Sequence, residues 1–292
     1  MFLTRIDSET GAKSTEDESK KIQPNNRTLF LFIHYQMFPV YLLCKGTAFL
    51  DSFYAANSIY YYVIISVYMI MMNYFYRACQ SSGFINDEES NDLSLDDQLN
   101  ISSQDSNKTF YCQHCKIHVP VRTSHCYTCR KCVIRRDHHC PWTGCCIGRD
   151  NHLNFFIFAL LEGIIHFLPA ADGIYNLVFH WNLISNVGFF VYMIILCSYG
   201  VYMGITMTCS NLESILLNLT MWERKRFFSI SYLKDCPWGT SPFNRGLFEN
   251  IKEFVNMKKD KSKWTIQTPD LSAFIQEASS IHFNSTNGIL KL

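Results

Sequence analysis

The stretch CQHCKIHVPVRTSHCYTCRKCVIRRDHHCPWTGCC, residues 112–146, is the most unusual part of this chain. It holds eight of the thirteen cysteines and five of the ten histidines in the 292-residue sequence. Cys112-x2-Cys115 and Cys126-x2-Cys129 have the spacing at which a tight turn points both sulfurs at one ion, as tetrahedral zinc requires. The segment has few aliphatic residues for a core, so bound metal would have to supply its folding energy. The pattern therefore predicts a zinc domain.

The possible ligands in this segment outnumber those that two zinc ions need. Two closed tetrahedral sites take about eight ligands, whereas the segment offers eight cysteines and five histidines. A surplus of about five groups remains, and the spacing rule alone does not identify its members. A spare thiol beside a histidine has the makings of a nucleophile, because the imidazole favours the thiolate.

Apolar segments flank this domain on both sides. Hydrophobic residues make up 48% of the chain and charged residues 17%, below the usual quarter for a soluble protein. A helix of about 25 residues is about 37 Å long, enough to cross ~30 Å of hydrocarbon. For the first and third segments, which contain polar residues, a buried core helix or a re-entrant segment is the alternative. The four predicted transmembrane segments are 28–50, 54–78, 153–175 and 187–209.

Charge placement orients the predicted membrane domain. Lys and Arg gather in both tails and in the cysteine-rich segment, so the positive-inside rule predicts that all three face the cytosol. The cytosol is reducing, so the clustered cysteines should hold metal or act as thiols. The polar N-terminal tail shows no cleavable signal peptide. The chain shows no internal repeat, and its net charge of +1 gives no argument for a nucleic-acid partner.

The predicted fold class is an α-helical polytopic membrane protein. Four transmembrane helices would carry a cytosolic two-zinc cysteine-rich domain between helices 2 and 3. The predicted order is a cytosolic tail (1–27), transmembrane helices 1 and 2 (28–78), an acidic linker (79–110), the cysteine-rich zinc domain (111–152), transmembrane helices 3 and 4 (153–209) and a cytosolic C-terminal region (210–292).

The cysteine-rich segment closely resembles that of the DHHC protein S-acyltransferases, or palmitoyltransferases. The match is Cys-x2-Cys-x9-His-Cys-x2-Cys-x2-Cys-x4-Asp-His-His-Cys-x5-Cys followed by Gly148-x2-Asn151-x3-Phe155, and it runs through residues 112–155 without a gap. NLTMWE (218–223) resembles the family's Thr-Thr-x-Glu motif. SPFNRGLFENIKEF (241–254) resembles its C-terminal motif, with Asn250 at the asparagine position. Four membrane spans with the cysteine-rich domain between the second and third are also the family's plan.

The resemblance implies eight metal ligands and three catalytic residues. Both zinc ions would be structural, because protein side chains fill all four positions of each. Cys140 would be the unligated nucleophile, His138 its base, and Asp137 the group that orients and charge-stabilises the imidazole. The implied ligands are Cys112, Cys115, His125 and Cys132 for one zinc, and Cys126, Cys129, His139 and Cys146 for the other.

The implied activity is protein S-acylation. A long-chain acyl group, palmitoyl above all, would pass from acyl-CoA through a Cys140 thioester to cytosol-facing cysteines of membrane-associated proteins. Palmitoyl-CoA would be the donor, and a Golgi or endoplasmic reticulum membrane the expected location. The alternatives are a non-catalytic zinc-binding membrane scaffold, a ubiquitin-ligase-type adaptor, and a channel or transporter. The first two account for the zinc ligands but not for Asp137 and His138 beside a free Cys140.

Several positions depart from the family pattern, among them Val119, which stands where a basic residue is usual, and Cys145 and Met221. Cys145 is an extra thiol next to a predicted zinc ligand; it could be inert, compete for metal or accept an acyl group, and we favour an inert thiol. Met221 stands where the motif has its second threonine, so a hydroxyl hydrogen bond from that position is absent.

Other charged residues admit two interpretations each. Three arginines could favour a thiolate or meet the phosphates of CoA, but a solvated or headgroup-facing side chain is the simpler expectation. Glu162 and His166 lie one helical turn apart on one face of the third apolar segment. Ionisable groups within a membrane segment suggest a function, but a helix–helix hydrogen bond or a position close to the membrane interface is at least as good an explanation. The arginines are Arg135, Arg136 and Arg149.

Overall fold

The computed structural model describes residues 26–34, 58–80, 82–85, 109–179, 181 and 187–260. Within these ranges the helices are α1 (described over 27–34), α2 (Ser58–Ala78), α3 (His152–Phe179), α4 (Val187–Leu216), α5 (Met221–Lys225) and α6 (Leu247–Asp260), with a 3-10 helix at Phe227–Ser229. The strands are β1 (Thr109–Cys112), β2 (Ile117–Pro120), β3 (Thr123–Cys126), β4 (Lys131–Ile134), β5 (His138–Cys140) and β6 (Cys145–Ile147).

Three antiparallel hairpins, β1–β2, β3–β4 and β5–β6, form the predicted cysteine-rich domain. Each hairpin enters its turn at a cysteine and pairs that cysteine with the residue five positions later. The residue four positions after the cysteine has a positive φ. Strands of three or four residues cannot enclose a core, so the hairpins need cross-links to hold together. The closing pairs are Cys112 with Ile117, Cys126 with Lys131 and Cys140 with Cys145, and the positive-φ residues are Lys116 (57°), Arg130 (56°) and Gly144 (64°).

Two of the described helices are long and apolar enough to cross a membrane, judged by length and composition. They are α3 and the Val191–Leu216 part of α4, so the third and fourth predicted segments form helices. Many of their large apolar side chains are exposed, including Val178 at 61% and Ile195 at 63%, as expected for faces turned to lipid.

The other predicted regions are described only in part. Helix α2 covers most of the second predicted transmembrane segment. Of the first segment, only residues 28–34 lie among those described. Most of the N-terminal tail, the acidic linker from residue 86 to 108, and residues 261–292 lie outside the described residues.

The helices and the third hairpin share one core. Phe30 of α1 stacks on Phe75 of α2 at 4.3 Å between ring centroids, and Phe75 meets Phe158 of α3 at 5.2 Å. Cys140 belongs to the same buried cluster. On the other side of α3, a Cβ on Gly204 of α4 would lie 2.3 Å from the backbone nitrogen of Gly163, so the two helices approach backbone to backbone.

The chain after α4 folds back onto the hairpins. Helix α5 begins at a capping box, in which the Thr220 hydroxyl accepts from the Glu223 N–H and the Glu223 carboxylate accepts from the Thr220 N–H. The Asn250 amide of α6 donates to the Leu216 carbonyl at 2.8 Å, which anchors α6 to the end of α4. The two motifs that follow the fourth apolar segment therefore lie together beside the cysteine-rich domain.

Candidate active site and metal centres

The first predicted ligand set meets between hairpins β1–β2 and β3–β4. The Sγ atoms of Cys112, Cys115 and Cys132 lie 3.8, 3.3 and 3.9 Å from Nδ1 of His125. The Cys115 and Cys132 sulfurs are 3.6 Å apart. Cys112 and Cys115, at the turn of the first hairpin, thus face His125 and Cys132, which are cross-strand partners in the second hairpin.

The second predicted ligand set repeats this arrangement one hairpin further along. The Sγ atoms of Cys126, Cys129 and Cys146 lie 3.7, 3.3 and 3.8 Å from Nδ1 of His139. Cys129 and Cys146 are 3.7 Å apart. His139 and Cys146 are cross-strand partners in β5–β6, as His125 and Cys132 are in β3–β4.

Both groups fit a tetrahedral zinc ion. With Zn–S bonds of about 2.3 Å and Zn–N bonds of about 2.0 Å, two ligand atoms of one tetrahedron lie about 3.5–3.8 Å apart. In each group all four ligand atoms lie within 4.8 Å of one another. The sulfur–nitrogen and sulfur–sulfur distances given above run from 3.3 to 3.9 Å, a range that includes the distances expected in a tetrahedron. The two Cys3His groups therefore fit two zinc ions, whose bonds would supply the cross-links that the short strands lack.

An eight-residue repeat explains which thiol is left over. HCYTCRKC (125–132) and HCPWTGCC (139–146) occupy equivalent positions in β3–β4 and β5–β6. Each metal group takes the turn cysteines of one hairpin and the His–Cys pair of the next, but α3 follows β6 and no fourth hairpin occurs within residues 148–179. Thr143 also stands where Cys129 stands in the repeat. Cys140 therefore lacks both a second turn cysteine three residues later and a following hairpin.

This repeat corrects the expectation that the chain has no internal repeat. It spans only eight residues, far below the length of a domain repeat, and the two copies share few identical positions. The shared hairpin register makes the correspondence visible.

Strand β5 directs its side chains to two different sites. Successive residues of a strand point to opposite faces, so His139 reaches the metal group while His138 and Cys140 share the other face. The His138 imidazole lies beside the Cys140 thiol, and each side chain shifts the pKa of the other. Its Nδ1 lies 2.8 Å from Oδ2 of Asp137. Asp137 and Cys140 are buried, whereas the His138 side chain is 22% exposed.

The electrostatics of these three residues favour a charged pair. Burial lowers the pKa of His138, but the hydrogen bonds and charges of Asp137 and Cys140 outweigh it and raise that pKa to about 9. Burial raises the pKa of the Cys140 thiol, and His138 together with Thr143 more than reverses this, so the pKa lies below the ordinary thiol value. The arrangement therefore favours a thiolate beside an imidazolium.

The second carboxylate oxygen of Asp137 is held by the end of α4 and the start of α5. Oδ1 accepts from the Met221 backbone N–H at 2.8 Å and from the Ser214 hydroxyl at 3.4 Å. Met221 thus contacts the aspartate without a side-chain hydroxyl, and Ser214 supplies a hydroxyl from one helix earlier. Ser214 was not predicted from the sequence, where its only signal is a hydroxyl residue near the polar end of the fourth apolar segment.

Arg122 is a second residue that the sequence analysis missed. It is fully buried and donates from Nε and Nη2 to the two carboxylate oxygens of Glu223, each at 2.8 Å. Its Nη1 donates to Oδ1 of Asn218 at 2.8 Å, and its guanidinium lies 4.4 Å from the centre of the Phe243 ring. This bidentate pair joins the connection between β2 and β3 to the segment whose Met221 N–H donates to Asp137.

The three arginines considered for CoA or solvent have other partners. Arg135 is buried, contacts Nδ1 of His152 at 3.3 Å and donates to Asn218 at 3.2 Å, so the expectations of a solvated side chain and of a phosphate contact are both wrong for it. Arg136 donates to the His125 carbonyl at 2.8 Å, and Arg149 is paired with its neighbour Asp150. These contacts place all three in the internal bonding of the domain.

Cys145 lies apart from both metal groups. Its thiol is buried and lies 3.4 Å from the Ala78 carbonyl, to which it donates at the end of α2. Burial raises the pKa of this thiol. It is therefore protonated and enclosed, which agrees with an inert side chain.

An apolar cavity opens beside Cys140. It has a volume of about 110 Å³ and is lined by residues of α1, α3, α4 and the turn of the third hairpin. Besides Cys140 and Trp142, the lining is mostly aromatic and aliphatic, with one group of three polar side chains. The polar group consists of His34, Glu162 and His166. The thiol thus faces a compartment suited to a hydrocarbon chain.

Comparison with known proteins identifies the domain. Residues 105–227 match the family model described as DHHC palmitoyltransferase. The chain is 29% identical over 163 residues to ZDHHC-type protein 7 of Dictyostelium discoideum, 30% over 172 residues to palmitoyltransferase ZDHHC17 of Rattus norvegicus, and 31% over 140 residues to protein S-acyltransferase 8 of Arabidopsis thaliana.

These alignments cover 54%, 51% and 44% of this chain but 37%, 27% and 34% of the three relatives. The chain therefore matches about a third of the length of these relatives. The matched region contains both metal groups, the Asp137–His138–Cys140 group and the contacts that hold Asp137. Residues 105–227 of this chain therefore form a DHHC palmitoyltransferase domain by the family model.

Proposed function

We propose that this chain is a protein S-acyltransferase that moves a long-chain acyl group, palmitoyl above all, from acyl-CoA to cysteines of membrane-associated proteins. One observation carries the proposal: Cys140 stands outside both metal groups, beside His138 and facing an apolar cavity. A zinc scaffold needs the metal groups but has no use for a thiol with these neighbours.

In the proposed first step, Sγ of Cys140 attacks the carbonyl carbon of the acyl-CoA thioester. A carbon–sulfur bond to Cys140 forms while the bond to the CoA sulfur breaks. The CoA thiolate leaves with the proton of the His138 imidazolium, so the imidazole becomes neutral. Asp137 keeps Nδ1–H of His138 pointed at itself and thereby leaves the other ring nitrogen facing the thiol.

In the proposed second step, the neutral imidazole takes the proton of a substrate cysteine. The substrate sulfur attacks the acyl carbon, and Cys140 leaves as a thiolate beside the imidazolium. One thioester replaces another in each step, so the bond energies nearly balance. The residues therefore need only position and activate the reacting groups.

The two zinc ions would be structural in this proposal. Cys112, Cys115, His125 and Cys132 would hold one, and Cys126, Cys129, His139 and Cys146 the other. The ions would cross-link the hairpins and so fix β5, from which His138 and Cys140 project. With four protein ligands each, they leave no open position for substrate.

The membrane arrangement of the proposed enzyme has four spans. Segments 28–50 and 54–78 would join α3 and α4 in the bilayer, with the zinc domain and both termini on the cytosolic side. The expected location is the Golgi or the endoplasmic reticulum. Protease protection of tags at the two termini in sealed microsomes tests the topology, since both tags should be digested without detergent.

The activity is tested with purified full-length protein and alkyne-tagged palmitoyl-CoA. Wild-type protein should acquire a hydroxylamine-sensitive label, and Cys140→Ser should acquire none. Cys145→Ser is the matched control, because it removes a neighbouring buried thiol and should label as wild type does. Absence of label on wild type, or equal label on Cys140→Ser, would overturn the proposal and leave the zinc scaffold in its place.

A further inference from the structure

Three metal-ligand side chains outside the cysteine-rich domain meet in the cavity beside Cys140. His34 of α1 and Glu162 and His166 of α3 are each about 95% buried. One ligand atom of each lies within 4.8 Å of the others. Among the described residues, these three form the one such group that contains no cysteine. The proposed acyl transfer makes no use of them.

Both histidines have one ring nitrogen occupied by a backbone carbonyl. Nδ1 of His34 lies 3.0 Å from the Phe30 carbonyl, and Nδ1 of His166 lies 2.9 Å from the Glu162 carbonyl. A carbonyl only accepts, so each Nδ1 carries the hydrogen and each Nε2 presents a lone pair in the neutral ring. A histidine that ligates a metal is typically held in this way, with its other nitrogen donating to a carbonyl.

The lone pair of His34 points at a carboxylate. Its Nε2 lies 3.2 Å from both oxygens of Glu162. A neutral imidazole lone pair and a carboxylate repel each other unless a cation lies between them, and that cation is either a proton or a metal ion. Ligand atoms that are each about 2.0 Å from one ion are about 3.3 Å apart in a tetrahedron, which agrees with this separation.

Helix α4 leaves room for the third ligand. A Cβ on Gly200 would lie 2.5 Å from the ring of His166, so only glycine allows the imidazole to occupy this position. The His166 ring therefore packs directly against α4 at Gly200 and lies at the cavity. Leu196, Tyr199 and Met203 of α4 line the same cavity, and they offer no competing charge.

We propose that His34, Glu162 and His166 bind a divalent transition metal of the zinc class, at a third metal site separate from the two Cys3His groups. Two imidazoles and one carboxylate are a common donor set for zinc and for ferrous iron. Three protein ligands leave a fourth position, and the cavity supplies space there for water or a ligand oxygen. The ion would also join α1 to α3 across the cavity.

The first test is the metal content of full-length protein purified in detergent, saturated with zinc and then dialysed. Wild type should retain three zinc ions per chain, and Glu162→Gln and His34→Gln should each retain two. Glu213→Gln is the matched control: this α4 carboxylate is 54% exposed, and its loss should leave three ions. Two ions on wild type, or three on both cavity variants, would overturn the site.

The second test needs no variant. Zinc X-ray absorption reports the average ligand set, and two Cys3His sites alone give about three sulfurs for each nitrogen. A third site with two imidazoles, a carboxylate and a water would bring the ratio of sulfur to light atoms near one to one. A ratio of three to one would assign the cation between His34 and Glu162 to a proton and overturn the proposal. Failure of Cys140 to label with palmitoyl-CoA would leave this result untouched.

Discussion

Hairpins β3–β4 and β5–β6 have the same register and the first strand of each ends in a His-Cys pair, yet they contribute different chemistry. In β3–β4 the turn carries Cys126 and Cys129, and both thiols face the imidazole of His139. In β5–β6 the equivalent positions are Cys140 and Thr143. The Thr143 backbone N–H and hydroxyl lower the pKa of the Cys140 thiol, and at the equivalent position the Cys129 N–H donates to the sulfur of Cys126 at 3.4 Å. Replacing one thiol by a hydroxyl thus keeps the turn and frees its first cysteine.

The surroundings of the two turns complete the difference. Cys126 meets three further ligands, whereas Cys140 meets a histidine that Asp137 holds. The same local fold therefore serves as a metal clamp when another His–Cys pair follows, and as a candidate nucleophile when a helix follows. Substitutions on the two hairpins can test this comparison.

The largest expected effect is on the metal clamp. Cys126→Ser should remove one zinc ion and unfold the cysteine-rich domain, at a cost of about 5 kcal/mol or more, because zinc supplies its folding energy. Zinc content and thermal unfolding in detergent measure the loss. Cys140→Ser is the paired variant and should keep both Cys3His zinc ions. Equal zinc loss in the two variants would show that the hairpins are not divided in this way.

A smaller loss of stability is expected at the buried pair between Arg122 and Glu223. Arg122→Met leaves the Glu223 carboxylate buried without its bidentate partner, which costs about 3–5 kcal/mol. The segment that presents Met221 to Asp137 should loosen, so thermal stability and acyl labelling should fall together. Arg130→Met, at an exposed turn position of β3–β4, is the control. Unchanged stability in Arg122→Met would refute the role of this pair.

Thr143→Cys makes the third hairpin a copy of the second. Cys140 would then have a thiol partner three residues later, able to form a disulfide or share a metal with it. Acyl labelling should fall by about tenfold or more under oxidising conditions, and a reductant, which leaves the structural zinc ions in place, should restore the part lost to a disulfide. Full labelling under oxidising, zinc-containing conditions would mean that Thr143 does not keep Cys140 free.

The smallest effect is expected at Ser214, a positioning residue for Asp137. Ser214→Ala removes one long hydrogen bond worth about 1 kcal/mol, so labelling should slow by about fivefold. Ser214→Thr keeps a hydroxyl and should label at the wild-type rate, and the zinc content of both variants should equal that of wild type. A rate equal to that of wild type in Ser214→Ala would leave the Met221 N–H as the sufficient support of that carboxylate oxygen.

The predicted resemblance to the DHHC family is confirmed over residues 105–227, because the spacing of cysteines and histidines is a local property of the chain. Helices α3 and α4 were likewise predicted from the sequence, because a long apolar run is visible in the chain without knowledge of what packs against it. The predictions failed where a contact joins distant segments. Arg135 was expected at the surface, but its partner Asn218 lies 83 positions away.

By itself the sequence determined the residue types available for metal binding and the surplus that remained after two closed sites were filled. Tertiary structure alone decided that Arg122 and Ser214 support the Asp137 region from either side, and that His34 meets Glu162 and His166 across the cavity. The physical reason is one of range. Metal-ligand spacing and apolar length act over a few residues, whereas the cost of burying a charge is met by partners that folding brings from far along the chain.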